Sequence, residues 1–305
     1  MGARQRPQLS LVVTLALLGA CTTSGETITA PPDSPAVRPP PSGESHVVIL
    51  AKVDAEGTAE LRVKRLLVPE TVHAEKAAMM LLDIAPDVQF GGPAHPCYDL
   101  LVLVRSGQVE AEVGDARAAL SAGDAVTLRR RTPFLLRGAG EETAQLLLVF
   151  VPDGITVAEC DALANQGGPV DPLPADPAHP PLVVTHVGET PPHVIAEGHG
   201  EARLLLDPQT PAGSTLATLD LLHGDATFSV PEHVHAGAAE LLLLVSGRGV
   251  MTIAGEAIPV SAGMAIYIPP DTPHSYRGER EMEAIQVYAP PGAEERFRSA
   301  PIGAN

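Results

Sequence analysis

The chain repeats itself at a fixed interval, and this repeat constrains its fold more than any other feature. Turn-forming residues recur 140 residues apart in three pairs, Gly107 with Gly247, Gly123 with Gly263, and Pro133 with Pro273. Beside the first pair, the Leu/Val run at 101–104 returns as the Leu run at 241–244. Short apolar runs bounded by Gly and Pro are typical of β-strands, and a fixed period indicates a duplicated unit. The sequence therefore predicts an all-β protein with two copies of one domain.

Composition is compatible with two such domains. The 305 residues suffice for two cores, and the chain is 45% hydrophobic but only 3% aromatic, with no Trp. The predicted cores are therefore aliphatic. The formal net charge of −17 argues against nucleic acid as a partner, because its phosphates would be repelled.

The N-terminus has the pattern of an export signal. Arg4 and Arg6 precede an apolar segment at 9–18 that is too short to span a membrane comfortably. The next residues, Leu-Gly-Ala-Cys ending at Cys21, resemble a bacterial lipobox. This predicts a signal peptide at 1–20 and a lipid on Cys21; the alternative is an ordinary secretory signal with a chance Cys.

A tether would then connect the lipid to the folded part. Residues 21–45 begin with the lipidated Cys21 and are rich in Thr, Ser, Pro and Gly, which is typical of a flexible linker. Thr22, where Asp would signal retention at the inner membrane, favours the periplasmic side of the outer membrane in a Gram-negative cell. The predicted protein is exported and anchored to a membrane surface without spanning it.

The repeat and the linker composition together set the domain boundaries. The first domain is expected at 46–152, an inter-domain linker at 153–182, the second domain at 183–292, and a tail at 293–305. Cys97 and Cys160 fall in the first domain and the linker. In an exported protein they can form a disulfide or remain two independent thiols, and the sequence leaves both open.

Four metal-ligand side chains occur in the second domain. His233 and His235 are one residue apart, so on a strand they share a face. Glu240 follows a short turn, and His274 follows a Pro-rich turn. Imidazoles and a carboxylate suit Fe, Mn, Co, Ni, Cu or Zn without choosing among them. A six-coordinate metal would keep open positions for water, dioxygen or a chelating substrate, whereas tetrahedral Zn would have a closed site.

These residues resemble the two motifs of the cupin family. The first motif is matched by Gly224, His233, His235, Glu240 and Gly247, and the second by Pro259, Gly263, Pro269, Pro273 and His274. The gap after Gly224 and the Pro259–Gly263 element are longer than usual, and the Asn that often follows the last His is absent. The resemblance implies two tandem jelly-roll (double-stranded β-helix) barrels, with one divalent metal held by His233, His235, Glu240 and His274.

The first domain lacks this ligand set. The residues 140 positions before the four ligands are Pro93, His95, Leu100 and Phe134. Only His95 of these can bind a metal, and Asp99, one residue out of register, could replace only one more. The sequence therefore predicts a degenerate, metal-free first barrel that serves as a packing partner.

Tyr276 is the candidate catalytic residue. It lies two residues after His274, so strand alternation points it into the same barrel, where its hydroxyl can bind substrate or donate a proton. The alternative is a core tyrosine with a satisfied hydroxyl.

Cupins with these ligands include dioxygenases, decarboxylases and lyases. The resemblance implies a metal-dependent oxidoreductase, dioxygenase-like, acting on a small oxygen-rich molecule. The alternative is a non-catalytic lipoprotein that binds a small molecule or sugar in the cell envelope. A monomer and a homodimer are both compatible with two fused barrels.

Overall fold

The chain folds into two similar β units, as the repeat predicts. The computed structural model describes residues 46–92, 94–95, 97–166, 170–174 and 176–299. The predicted signal peptide, Cys21 and the tether lie outside the described residues. Within the described residues, no helix has the length and apolar character needed to cross a bilayer.

Among the described residues, each unit contributes eleven strands. Those of the first unit are β1 (Val47–Ile49), β2 (Glu56–Gly57), β3 (Leu61–Leu67), β4 (Ala78–Ile84), β5 (Gln89–Gly92), β6 (Tyr98–Ser106), β7 (Gln108–Val113), β8 (Ala116–Ser121), β9 (Asp124–Leu128), β10 (Phe134–Ala139) and β11 (Ala144–Pro152). Those of the second are β12 (Thr185–His186), β13 (His193–Ile195), β14 (Gly200–Leu206), β15 (Leu219–Gly224), β16 (Ser229–His233), β17 (Ala239–Ser246), β18 (Arg248–Ile253), β19 (Glu256–Ser261), β20 (Met264–Ile268), β21 (His274–Gly278) and β22 (Met282–Ala289). The described part of the chain also has three short α-helices, α1 (Pro69–Val72), α2 (Val157–Gln166) and α3 (Glu295–Ser299).

Each unit is a jelly-roll barrel made of a large and a small antiparallel sheet. In the second unit the large sheet has the order β1-β20-β17-β22-β15-β14-β13 and the small sheet the order β16-β21-β18-β19. The first unit has the same arrangement, β12-β9-β6-β11-β4-β3-β2 beside β5-β10-β7-β8. The two tandem jelly-roll barrels expected from the motifs are therefore present.

The two barrels exchange their first strands. Strand β1 pairs with β20 of the second barrel, with Val48 opposite Ala265. Strand β12 pairs with β9 of the first barrel, with Thr185 opposite Ala125. The boundaries predicted at 46 and 183 assign β1 to the first domain and β12 to the second. In the structure, β1 completes the large sheet of the second barrel, and β12 completes that of the first.

Three apolar clusters hold the protein together, one inside each barrel and one between them. In β17, Leu242 and Leu244 belong to the cluster inside the second barrel, while Leu241 and Leu243 belong to the cluster between the barrels. The large sheets are thus buried on both faces, which explains why their strands are continuous apolar runs instead of alternating ones.

Asp99 joins the two barrels. Its side chain is fully buried and accepts hydrogen bonds from Arg130 Nη1 at 2.9 Å and from Ser214 Oγ at 2.8 Å. Ser214 belongs to the second unit, so Asp99 points toward the interface and away from the interior of its own barrel. It cannot take the place of a missing metal ligand there.

Cys97 and Cys160 form a disulfide with a Cα–Cα distance of 5.9 Å. The bond ties the chain just before β6 to α2. Of the two alternatives that the sequence leaves open, the structure has the bonded pair.

One exchanged strand carries an ion pair that predicts a pH dependence of stability. His186 Nδ1 in β12 lies 2.7 Å from Asp124 Oδ1 in β9. The hydrogen bond and charge of Asp124 raise the pKa of His186. Burial alone would raise the pKa of Asp124, but hydrogen bonds from Ser121 and His186 outweigh it and lower that pKa.

Because the folded-state pKa of His186 is raised, its stabilisation is complete below the ordinary His pKa of about 6.5 and is lost as pH rises through the folded value. The depressed pKa of Asp124 keeps the pair intact down to the acid range. We expect His186→Gln to lower the melting temperature most between pH 5 and 6 and least at pH 9. His193→Gln in β13 is the control. An equal loss at all pH values would contradict the pairing.

Candidate metal centre

The four predicted ligands come from both sheets of the second barrel and meet in its interior. His233 ends β16 and His274 begins β21, and the two are direct partners in the small sheet. His235 follows in the turn after β16, while Glu240 lies on β17 of the large sheet. The HxH spacing and the strand pairing thus place three imidazoles opposite one carboxylate.

The ligand groups are close together and shielded from solvent. The ring centres of His233 and His274 are 4.2 Å apart, and His235 lies 4.8 Å and 5.0 Å from them. The four ligand atoms all lie within 4.8 Å of one another. His235, Glu240 and His274 are buried, and His233 is partly buried.

Backbone carbonyls orient two of the imidazoles. His233 Nδ1 lies 2.8 Å from Pro231 O, and His274 Nδ1 lies 2.8 Å from Thr272 O. A carbonyl oxygen only accepts, so each Nδ1 carries the proton and each Nε2 presents a lone pair. Both Nε2 atoms are buried; that of His233 has no hydrogen-bond partner, and that of His274 faces the carboxylate of Glu240. This is the arrangement in which a metal-binding histidine is held by an outer hydrogen bond.

Glu240 completes a set of electron-pair donor atoms that favours a bound cation. Its Oε2 lies 3.1 Å from His235 Nε2 and 3.0 Å from His274 Nε2, and its Oε1 accepts a hydrogen bond from Gln286. A neutral His274 and an ionised Glu240 would face each other as two acceptors, which is unfavourable unless a proton or a metal lies between them. Three imidazole nitrogens and a carboxylate fit a divalent transition metal.

The electrostatics of the site favour the ligating forms of two groups. Burial lowers the pKa of His233 to about 4, which keeps it neutral. Burial alone would raise the pKa of Glu240, but hydrogen bonds with His235 and His274 outweigh it and hold that pKa well below its usual range. Burial lowers the pKa of His274, but Glu240 outweighs that effect and raises it.

A small cavity of about 50 Å³ opens onto His233, Glu240 and His274. Its wall is mostly apolar, with Ile195, Leu222, Phe228, Val230, Leu242, Leu244, Met251, Met282 and Phe297. A volume of this size admits a few water molecules or a ligand of a few heavy atoms.

Tyr276 lies on this cavity, where the sequence places it. Its hydroxyl is buried and has no hydrogen-bond partner. Gly249 on the adjacent β18 leaves the space that the phenol occupies, since a Cβ there would lie 2.6 Å from Tyr276 Oη. Burial and Glu279 raise the pKa of Tyr276, so its hydroxyl keeps its proton.

Sequence reasoning missed two polar residues of this site. Gln286 donates to Glu240 from β22 and lines the cavity. Gln286 lies an even number of residues from Met282, Ala284 and Tyr288, which all face the interior of the second barrel. Strand alternation could therefore have predicted that Gln286 faces inward too. Arg296 lines the cavity from α3, in the segment expected to be a tail. No local pattern signals its position.

The equivalent place in the first barrel is occupied by different side chains. Leu100 is buried in the barrel core, and Phe134 lies 6.2 Å from Phe90 between ring centres. His95 stacks on Tyr98 at 4.5 Å, and burial lowers its pKa to about 4. Pro93 lies outside the described residues. Leu100 and Phe134 offer no metal-binding atom.

Comparisons with known proteins agree with the geometry. A family model described as a cupin domain matches residues 224–288. The polyketide synthase CurC of Streptomyces cyaneus is 32% identical over 89 residues, which are 29% of this chain and 57% of that protein. An uncharacterized protein of Methanocaldococcus jannaschii is 33% identical over 95 residues, covering 30% of this chain and 73% of the relative. This chain thus spans little more than half the length of CurC.

Solved structures resemble the whole two-barrel arrangement. The protein Ylba of E. coli has a TM-score of 0.60 at 15% identity, covering 81% of this chain and 92% of that one. A variant of Bacillus subtilis oxalate decarboxylase has a TM-score of 0.62 at 15% identity, with 87% and 85% coverage. Oxalate decarboxylase of Lactobacillus farciminis has a TM-score of 0.64 at 14% identity, with 85% and 92% coverage. At such identities the likeness shows the fold alone.

The ligand geometry predicts which variants lose metal. His233→Ala and His274→Ala each remove one donor, and we expect each to bind the metal at least about 100-fold more weakly, because even outer-shell changes cost 10- to 100-fold. The measurement is metal content per chain by elemental analysis after dialysis. His95→Ala and Tyr276→Phe serve as controls and should keep the wild-type content. Stoichiometric metal in both His variants would contradict the assignment.

Proposed function

Since this chain belongs to the cupin superfamily, we propose that it is a metal-dependent oxidoreductase, dioxygenase-like, acting on a small oxygen-rich molecule. One divalent metal ion, Fe, Mn, Ni, Cu or Zn, would be held by His233, His235, Glu240 and His274. The observation that carries this proposal is the cluster of four ligand atoms within 4.8 Å of one another, in which the buried Nε2 of His233 has no hydrogen-bond partner and the Nε2 of His274 lies 3.0 Å from Glu240 Oε2. A metal bound there would supply a Lewis acid and, for Fe, Mn, Ni or Cu, a redox centre.

The surrounding residues would bind and orient the substrate. Tyr276 has a buried hydroxyl without a partner, so it can donate a hydrogen bond to a substrate oxygen. Gln286 holds the carboxylate of Glu240 in place. The apolar wall excludes water, which strengthens polar interactions inside the cavity.

The cavity favours redox chemistry over acid–base chemistry. Among the described residues that line it, Glu240 is the sole carboxylate, and it belongs to the ligand set. A hydrolase or isomerase needs a further group to take up a proton. A redox reaction at a metal has no such requirement.

The same observation supports a second candidate, a lipoprotein that binds a small molecule without converting it. The cavity of about 50 Å³ favours a compound of a few heavy atoms over a sugar in that case as well. The two candidates differ only in turnover.

We also propose that the protein is exported and anchored by a lipid on Cys21 to the periplasmic side of the outer membrane. The Cys97–Cys160 disulfide supports export, because disulfides persist in oxidising compartments and are rare in the cytosol. The lipobox-like sequence before Cys21 supports the anchor.

Oxygen consumption distinguishes the enzyme from the binding protein. The mature chain, loaded separately with Fe, Mn, Ni, Cu or Zn, is mixed with small enols and oxalate in an oxygen electrode. We expect substrate-dependent oxygen uptake with a redox-active metal and none with Zn. Tyr276→Phe should lower the rate about 100-fold, the cost of removing one preorganised donor, at unchanged metal content. Binding of a panel compound without uptake under any metal would favour the second candidate.

Cell fractionation tests the anchor. We expect the wild-type protein in the outer-membrane fraction of a Gram-negative host and Cys21→Ser in the soluble or uncleaved precursor fraction, because the acyl chains provide the membrane affinity. Cys97→Ser, which leaves the lipobox intact, is the control and should stay with the membrane. A soluble wild-type protein would contradict the anchor.

A further inference from the structure

A positively charged side chain, that of Arg296, lies at the mouth of the cavity beside the candidate metal centre. It comes from a segment outside the barrel itself. Arg296 is carried by α3, and the same helix inserts Phe297 into the apolar cluster inside the second barrel. Arg298, two residues further along the same helix, forms ion pairs with Asp207 and Glu295. The helix is therefore seated on the barrel, and its position brings Arg296 to the cavity that His233 and Glu240 also line.

The contacts of Arg296 hold its guanidinium in place without neutralising it. Its Nη2 donates a hydrogen bond to Tyr288 Oη at 2.7 Å. Its central carbon lies 5.0 Å from the ring centre of Phe297 and 5.8 Å from that of Tyr288. No carboxylate within the described ranges lies at ion-pair distance from it, in contrast to Arg298 with two. A guanidinium has five donors, so most remain available.

The charges around the cavity favour an anionic ligand. A divalent metal on three neutral imidazoles and Glu240 leaves one net positive charge, and Arg296 adds a second at the mouth. Arg296 itself is exposed, but the wall between the two charges is mostly apolar, so an anion held in the cavity would be attracted by both with little screening. A guanidinium binds a carboxylate in a bidentate geometry that a single-point cation lacks.

The same cavity limits what the anion can be. The volume of about 50 Å³ favours a small ligand, and Leu222, Leu242 and Met251 give the wall an aliphatic character. Tyr276 adds one hydroxyl donor without a partner. We propose that the ligand of this site is a short aliphatic carboxylate whose carboxylate group is bound by Arg296. This inference rests on the proposed metal site and names its substrate class.

Calorimetry of the zinc-loaded full mature chain tests the inference, since zinc prevents redox turnover. The probes are glycolate and lactate, with their neutral amides as matched compounds. We expect both acids to bind the wild type and Arg296→Gln to bind them roughly 10- to 100-fold more weakly, the usual loss of a charged hydrogen bond. Arg296→Lys should lose less, because it keeps the charge but not the planar fork. Arg277→Gln, an exposed residue on β21, is the control and should bind like the wild type.

The outcomes separate this inference from the metal site on which it rests. Zinc content is measured for every variant and should equal that of the wild type. If the wild type holds zinc but Arg296→Gln binds lactate equally well, or lactamide binds as tightly as lactate, the carboxylate inference fails and the metal site stands. If the wild type holds no zinc, the proposed function fails and the inference fails with it.

Discussion

The apolar contact between the two large sheets is the interaction on which the rest of the structure depends. Each large sheet has one face inside its own barrel, and its other face packs against the large sheet of the other barrel. Successive residues of β17 therefore alternate between the core inside the barrel and the core between the barrels. Leu241 and Leu243 pack between the barrels, and this assigns Glu240 to the inner face. A slip of one residue would move Glu240 into the interface and a leucine into the ligand position. Packing between the barrels therefore fixes the register of the carboxylate ligand.

The strand exchange gives the first barrel a physical role although it lacks the ligand set. Strand β1 extends the large sheet of the second barrel through β20, and β20 is the direct neighbour of β17, which carries Glu240. Part of the first half thus supports the sheet that positions a ligand. Asp99 adds a polar connection, because it accepts a hydrogen bond from Arg130 in its own half and another from Ser214 across the junction. The two halves form one structural unit, and neither has a complete large sheet alone.

The sequence predicts those parts of the fold and site that depend on local signals. Turn glycines and prolines recur at a fixed offset, and His233, His235, Glu240 and His274 lie at turns and strand ends whose spacing is visible in the chain. The remaining features depend on contacts between distant segments. The disulfide joins residues 63 positions apart, the exchanged strands are only two or three residues long, and Arg296 reaches the cavity through the packing of Phe297. None of these leaves a periodic or compositional trace.

The net charge of the whole chain and the charge at the mouth of the cavity have opposite signs. The chain as a whole carries a formal charge of −17, which repels anions, whereas the mouth of the cavity presents Arg296 and the interior a metal-binding set. At physiological salt, exposed charges are screened beyond about 8 Å, so the distant carboxylates weaken approach far less than Arg296 strengthens binding at contact distance. A polyanion would still meet many of the surface carboxylates at close range. A small ligand with one or two charges avoids most of them, and its size suits the small cavity.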